Sequence, residues 1–393
     1  MRIDGHIHFS HYPRLFELSE YLQQLSLDAV GIVSLPDPAR TNYNPEAFGA
    51  KAALPESCYV FGGLDYGREL ASQVAELHAL GADGIKLWDG KPSYQAHTGL
   101  AVDSPELLAV YREAGRLGLP VLQHVADPPV FWQGATGGMN REVGIDYSAP
   151  EIPDFEELIG QAEHAVASAP ECDFILPHLL FLAGDLGRLD ALLDRYANAA
   201  VDLAPGLYYF GELSARRDDA CAFFGKHAGR IIFGTDAFWF PETQTGLPQG
   251  GLERNLGGAR RLMSFLETGA EMENPFEPGR ERQPQVEGLG LAGGGATVAG
   301  EPTGGDADAR GIAAAPEAHG AAAPQILDAV YGGAFTRLLG EKPRPIDRER
   351  LGAYLADFEA ALRERRGWVS DAALEIDVAD VNAVRAALRE TGG

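Results

Sequence analysis

Cysteine is scarce. Only Cys58, Cys172 and Cys221 occur in 393 residues. An odd, scattered trio offers no disulfide framework and no Cys-x-x-Cys metal knuckle. Metal chemistry, if present, falls to imidazole and carboxylate. Basic residues are also short. The 32 Lys and Arg face 57 Asp and Glu, a formal net charge of −25. That balance argues against nucleic acid and against anionic membrane surfaces as partners. No apolar run approaches a transmembrane span, and the first residues lack a basic-then-apolar leader. The expectation is a soluble, cytoplasmic protein acting on a small molecule. A Gly-rich phosphate loop after an early strand is missing too, which weighs against an open nucleotide-binding sheet.

What is present is an alternation of strand-like and helix-like segments. Apolar strand patterns fall at Arg2–His8, Asp28–Ser34, Ser57–Leu64, Gly84–Trp88, Leu119–His124, Asp173–His178, Ala199–Leu203 and Arg230–Asp236. Helical patterns separate most of them, with cap signals such as Ser104-Pro105 and the Asp154/Glu157 capping-box spacing. Eight such units favour a closed barrel over an open sheet. The expected fold is α/β, a distorted (β/α)8 TIM barrel with a C-terminal helical extension. The barrel is expected over residues 1–340, interrupted at about 283–323 by a flexible Gly/Ala/Pro-rich insertion without aromatics. Residues 341–393 form the extension. There Leu351, Tyr354, Leu355, Phe358 and Leu362, then Val378, Val381 and Val384, recur at helical spacing. These stripes need cover, from their own barrel or from a second subunit in a homo-oligomer.

Histidine is the informative residue type. Ten occur, and four of them, His6, His8, His124 and His178, stop at the ends of expected strands. His6-x-His8 projects two imidazoles from one face of a strand, as a divalent metal needs. Lys86 and Asp236 end two further strands. In a (β/α)8 barrel these ends converge on one mouth, where active sites lie. Each residue alone has an ordinary explanation as a loop entry, a turn cap or a snorkelling lysine; the joint placement does not. Mouth loops also carry Trp88, Tyr94, Phe131, Trp132, Tyr208, Tyr209, Phe210, Phe238, Trp239 and Phe240. Of these, Trp88, Trp132 and Trp239 are candidate substrate contacts together with Lys86.

Five segments carry a family resemblance: Asp4-Gly5-His6-Ile7-His8, Gly84-Ile85-Lys86-Leu87, Pro120-Val121-Leu122-Gln123-His124, Ile175-Leu176-Pro177-His178 and Ile232-Phe233-Gly234-Thr235-Asp236. The chain resembles the amidohydrolase superfamily, in its amidohydrolase-related branch. That branch includes enzymes similar to aminocarboxymuconate-semialdehyde decarboxylase and resorcylate decarboxylase. The likeness runs over roughly residues 1–340. It implies one divalent metal, Zn²⁺ first and Mn²⁺ or Fe²⁺ as alternatives, held by His6, His8, His124 and Asp236. Asp236 would also accept a proton from water, and His178 would polarise substrate or shuttle a proton. A second metal bridged by carboxylated Lys86 is the less favoured arrangement.

Two reactions fit such a site. The first choice is hydrolysis of a C–N or C–O bond by metal-activated water. The alternative is non-oxidative decarboxylation of an unsaturated or aromatic acid, which needs a cation beside the departing carboxylate. Lys86, Lys91, Arg14, Arg40 and Arg141 are the mouth-side candidates. A third class, a barrel retained for binding alone, is disfavoured by the intact set of ligand-type residues.

Overall fold

The computed structural model describes residues 1–37, 41–133, 146–205, 209–241, 251–274, 285–292, 323–364 and 371–390. Arg40, Arg141 and Tyr208 lie outside the described residues. The wall of the molecule is a parallel sheet. Its strands are β1 (Ile3–Phe9), β2 (Ala29–Val33), β3 (Cys58–Gly63), β4 (Gly84–Gly90), β5 (Val121–Val125), β6 (Phe174–Leu176) and β7 (Ala199–Asp202). β8 comes in two pieces, Ile231–Ile232 and Ala237–Trp239. Neighbours pair in chain order from β1 to the first piece of β8. The second piece pairs with β1, Ile7 opposite Ala237, and Gly5 N–H donates to Phe233 O at 2.8 Å. The sheet therefore curls back onto its first strand as the expected TIM-type barrel.

Two apolar cores follow from strand alternation. Ile3, Ala29, Phe61, Leu122, Ile175 and Ile232 face inward around Phe335, which plugs the barrel from the closing helix. The opposite strand faces pack against the surrounding helices. Helix Pro105–Leu117 shows how a segment is specified. The Ser104 side chain accepts from Leu107 N–H, Pro105 starts the helix, and Leu107, Val110, Tyr111 and Ala114 are buried. Asp154 caps Phe155–Ser168 by accepting from Glu157 N–H at 2.8 Å, as its spacing predicts.

Two departures from strict alternation shape the mouth. The pairing of β1 with β2 shifts register between Asp4 and Ile7. Before the bulge, Ile3 lies in the inner core; after it, Ile7 lies in the outer one. The bulge thus swaps the faces of the strand and turns the His6/His8 side inward. The second departure is in β8, where a continuous strand to Asp236 was expected. The strand breaks at Phe233–Asp236 because Asp236 takes φ 58°. At Gly234 an added Cβ would stand 2.9 Å from the His6 Cβ, so only glycine lets the two segments approach.

The C-terminal stripes are covered by the chain itself. Leu351, Leu355, Phe358 and Leu362 of helix Arg348–Glu364 are buried, as are Val381 and Val384 of Asp371–Glu390. Val384 packs so closely on helix Asn44–Ala53 that a Cβ on Gly49 would lie 2.6 Å from it. In the middle of helix Asp371–Glu390, buried Asp380 accepts from His11 Nδ1 at 2.9 Å. Within the expected insertion, Gln285–Glu287 pairs antiparallel with Glu271–Glu273, and Leu289 and Leu291 are buried. Residues 293–322 lie outside the described residues. None of the described helices is long and apolar enough to cross a membrane.

Candidate metal centre at the barrel mouth

Three acceptor atoms meet where β1 and β8 end. One ligand atom each from His6, His8 and Asp236 lies within 4.8 Å of the other two. His8 Nε2 is 2.8 Å from Asp236 Oδ1, and His6 Nε2 is 3.7 Å from the same oxygen. The outer ring nitrogens are committed elsewhere. His6 Nδ1 is 2.7 Å from Asp202 Oδ2. His8 Nδ1 is 2.9 Å from Val33 O, which can only accept. His8 therefore carries a proton on Nδ1 and turns Nε2 toward Asp236.

Burial lowers the His8 pKa despite the neighbouring carboxylate. Burial pushes Asp236 up, but the His8 contact and the surrounding imidazoles outweigh it and hold the carboxyl well below its usual range. His8 Nε2 thus faces the carboxylate oxygen at 2.8 Å from the side of the ring opposite the nitrogen committed to Val33 O. His6 Nε2 is buried and has no hydrogen-bond partner among the described residues. Two imidazoles whose outer nitrogens are committed elsewhere and one carboxylate form a donor set that suits a divalent ion.

Asp236 is held by more than its strand. Asp236 N–H donates to His6 O at 2.9 Å. Its neighbour Thr235 donates through Oγ1 to buried Asp4 at 2.6 Å, and Tyr21 Oη donates to the same carboxylate at 2.8 Å. Asp4 is pushed up to about 6 by burial, against those hydrogen bonds.

His124 and His178 stand beside this trio as a second pair. His178 Nε2 is 3.2 Å from His124 Nδ1. The His178 ring is stacked on His6 with centroids 5.6 Å apart. His124 Nε2 faces Ala126 O at 2.7 Å, and His178 Nδ1 faces Ala204 O. The facing nitrogens are therefore both acceptors. Burial lowers His178 to about 4 and His124 to about 3, so both rings are neutral near pH 7. His178 opens a left-handed turn of four non-glycine residues, His178 to Phe181, with φ of 63°, 49°, 54° and 52°. Left-handed backbone costs about 1–2 kcal/mol per residue; here burial of Leu179 and Leu180 offsets it.

The expected substrate contacts divide. Lys86 pairs across the sheet with Leu122 of the inner core, is 1 % exposed, and has no hydrogen bond or ion pair among the described residues. Burial lowers it to about 7, against the attraction of Asp202 and Asp236. Trp88 meets the His124 ring edge-on at 6.2 Å, and Lys91 Nζ lies over the Trp88 ring at 5.6 Å. Trp132 packs on Tyr147 and Phe155 and donates to Pro153 O. Trp239 is fully buried against Phe9 and Tyr21, its indole N–H on Glu17. It is a packing residue with no accessible surface, because β8 resumes with the opposite face outward. Phe210 likewise stacks on Phe265 at 4.0 Å.

Three residues escaped the sequence reading. Asp202 ends β7, is fully buried, and touches both His6 and His178. An acidic residue closing an otherwise apolar strand was a usable signal. Asp127 follows β5, 3.7 Å from His124 and 2.6 Å from Lys91. Burial raises it, but Lys91 outweighs burial and holds it below the usual range. Phe181 lies 5.1 Å from the His178 ring, placed there by a turn that composition does not foretell.

No family model and no curated protein matches the sequence. Solved structures do match. One is 4-oxalomesaconate hydratase from Rhodopseudomonas palustris, at 14 % identity over 92 % of this chain and 100 % of that one, TM-score 0.47. A second is 2,6-dihydroxybenzoate decarboxylase from Rhizobium, at 16 % identity over 65 % and 91 %, TM-score 0.43. A third is a probable 2-pyrone-4,6-dicarboxylic acid hydrolase from Acinetobacter baumannii, at 14 % identity over 67 % and 92 %, TM-score 0.41. Enzymes of the amidohydrolase-related kind are thus among the structural matches of this chain, and its chemistry is argued from its own residues.

Proposed function

We propose that this protein is a metal-dependent hydrolase of the amidohydrolase type, cleaving a C–N or C–O bond of a small molecule. One observation carries the reading. One ring nitrogen each of His6 and His8 and one carboxylate oxygen of Asp236 converge within 4.8 Å of one another. Zn²⁺ suits this donor set best, with Mn²⁺ and Fe²⁺ tolerated. His124, whose Nδ1 is proton-free, completes the ligand set in this reading. Bound there, the ion would supply Lewis acidity and a more acidic water.

The protein's own groups do the rest. Asp236, held ionised, accepts the proton released by the attacking water. His178, whose Nδ1 is committed to Ala204 O, presents Nε2 to take up that proton in turn. His178 then delivers it to the leaving group. Trp88 and Phe181 flank those rings and exclude water from one side. Lys86 is the residue for an anionic group on the substrate.

Decarboxylation is the second reading, and Lys86 is the observation that favours it: a buried amine with no hydrogen bond or ion pair among the described residues could hold a departing carboxylate. Two measurements test the proposal. Metal analysis of the purified protein is expected to give one divalent ion per chain. Turnover in ¹⁸O-labelled water is expected to put the label into the organic product. Stoichiometric CO₂ with an unlabelled initial product would replace hydrolysis by decarboxylation.

A further inference from the structure

The two histidine pairs share one anchor. Asp202, at the end of β7, is fully buried and uses both carboxylate oxygens. Oδ2 faces His6 Nδ1 at 2.7 Å. Oδ1 accepts from His178 N–H at 2.9 Å and from Ala204 N–H at 3.1 Å. Ala204 in turn offers its carbonyl to His178 Nδ1. Three chain segments that end separate strands thus converge on one side chain.

We infer that Asp202 is a positioning residue that sets the tautomers of both His6 and His178. The inference rests on the metal reading above for its purpose, but not for its geometry. A carboxylate can only accept, so the His6 proton must sit on Nδ1. That leaves the lone pair on Nε2, the buried atom without a hydrogen-bond partner. At His178 the action is indirect. The carboxylate pins the backbone where the left-handed turn begins and pins Ala204, whose carbonyl then takes the Nδ1 proton. His178 Nε2 is left as an acceptor facing His124. One ionised group thereby arms a metal ligand on one side and a proton carrier on the other. An outer carboxylate of this kind commonly changes metal affinity by about 10–100-fold.

The substitution Asp202→Asn makes the point testable, because an amide presents one acceptor and one donor. Both faces of Asp202 need acceptors, so the amide must fail one of them. Turning its NH₂ toward His6 would drive the His6 proton to Nε2 and block the lone pair. Turning it the other way would release the turn at His178.

Imidazole ¹⁵N spectra of the metal-free protein read the tautomers directly. Wild type is expected to show Nδ1–H at both His6 and His178. Asp202→Asn is expected to shift at least one of them, and to lower Zn²⁺ affinity about 10–100-fold in a chelator competition. An Nε2–H tautomer at His6 in the wild type would overturn the inference, and that measurement stands even if the variant does not fold. Unchanged spectra and Zn²⁺ affinity in Asp202→Asn would overturn it as well. Wild type with the expected tautomers but no Zn²⁺ binding would support the positioning role and overturn the hydrolase reading.

Discussion

Replacing Asp236 by Asn is expected to make the metal-free protein more stable and the metal-loaded protein less so. With His8 neutral and its proton on Nδ1, the Nε2 lone pair would face Asp236 Oδ1 at 2.8 Å in the apoprotein, an acceptor against an acceptor. Asn can turn its NH₂ there and donate. A net hydrogen bond of this kind is worth about 0.5–1.5 kcal/mol, and relief of the repulsion adds to it. The backbone tolerates the exchange, because Asn adopts the left-handed conformation as readily as Asp, and the φ of 58° is kept. The Asp236 N–H bond to His6 O does not involve the side chain. On the other side, Zn²⁺ at 100 times its Kd stabilises wild type by about 2.7 kcal/mol. Scaling unfolding entropy to this length, about 1 kcal/mol corresponds to roughly 1–2 °C in Tm. Thermal unfolding in chelator should place Asp236→Asn about 1–2 °C above wild type. With Zn²⁺, wild type should rise by about 3 °C while the variant stays still. A variant less stable than wild type in chelator would refute the lone-pair argument, and equal zinc responses would refute the role of Asp236 as a ligand.

His178→Asn should retain most bound metal while turnover falls about 10²–10⁴-fold, the usual cost of losing general acid–base help; loss of metal stoichiometry alongside activity would point to two ions. Gly234→Ala should cost about 1–3 kcal/mol and weaken Zn²⁺ binding, because the new methyl stands 2.9 Å from His6 Cβ; an unchanged denaturation midpoint would count against that close approach. Asp89 is fully buried and pushed up by burial to about 7. The folded state then binds its proton more tightly than the unfolded chain, so this contribution to stability falls as pH rises from about 4 to 7. Tm scans between pH 5 and 7.5 should slope downward for wild type and less steeply for Asp89→Asn; parallel slopes would exclude Asp89 as the cause.

The sequence by itself determined the architecture and the cast of residues. Apolar strands alternating with amphipathic helices leave few ways to bury both faces of a sheet except a curled parallel one. The residues at the strand ends then share a mouth. His6, His8 and Asp236 were legible for that reason, and so was the Asp154 cap, whose partner is three residues away. The tertiary structure decided what depends on contacts between distant segments. Two-residue periodicity says that His6 and His8 share a face but not which one, and the β1 bulge chose the inside. Trp239 follows Asp236 by three residues, yet the break in β8 sends it into the wall packing. The C-terminal stripes needed a cover, and the barrel's own surface at Gly49 supplied it. Asp202 lies 196 residues from His6. Its role exists only because the curled sheet brings the ends of β7 and β1 to either side of one carboxylate, a juxtaposition that local patterning does not encode.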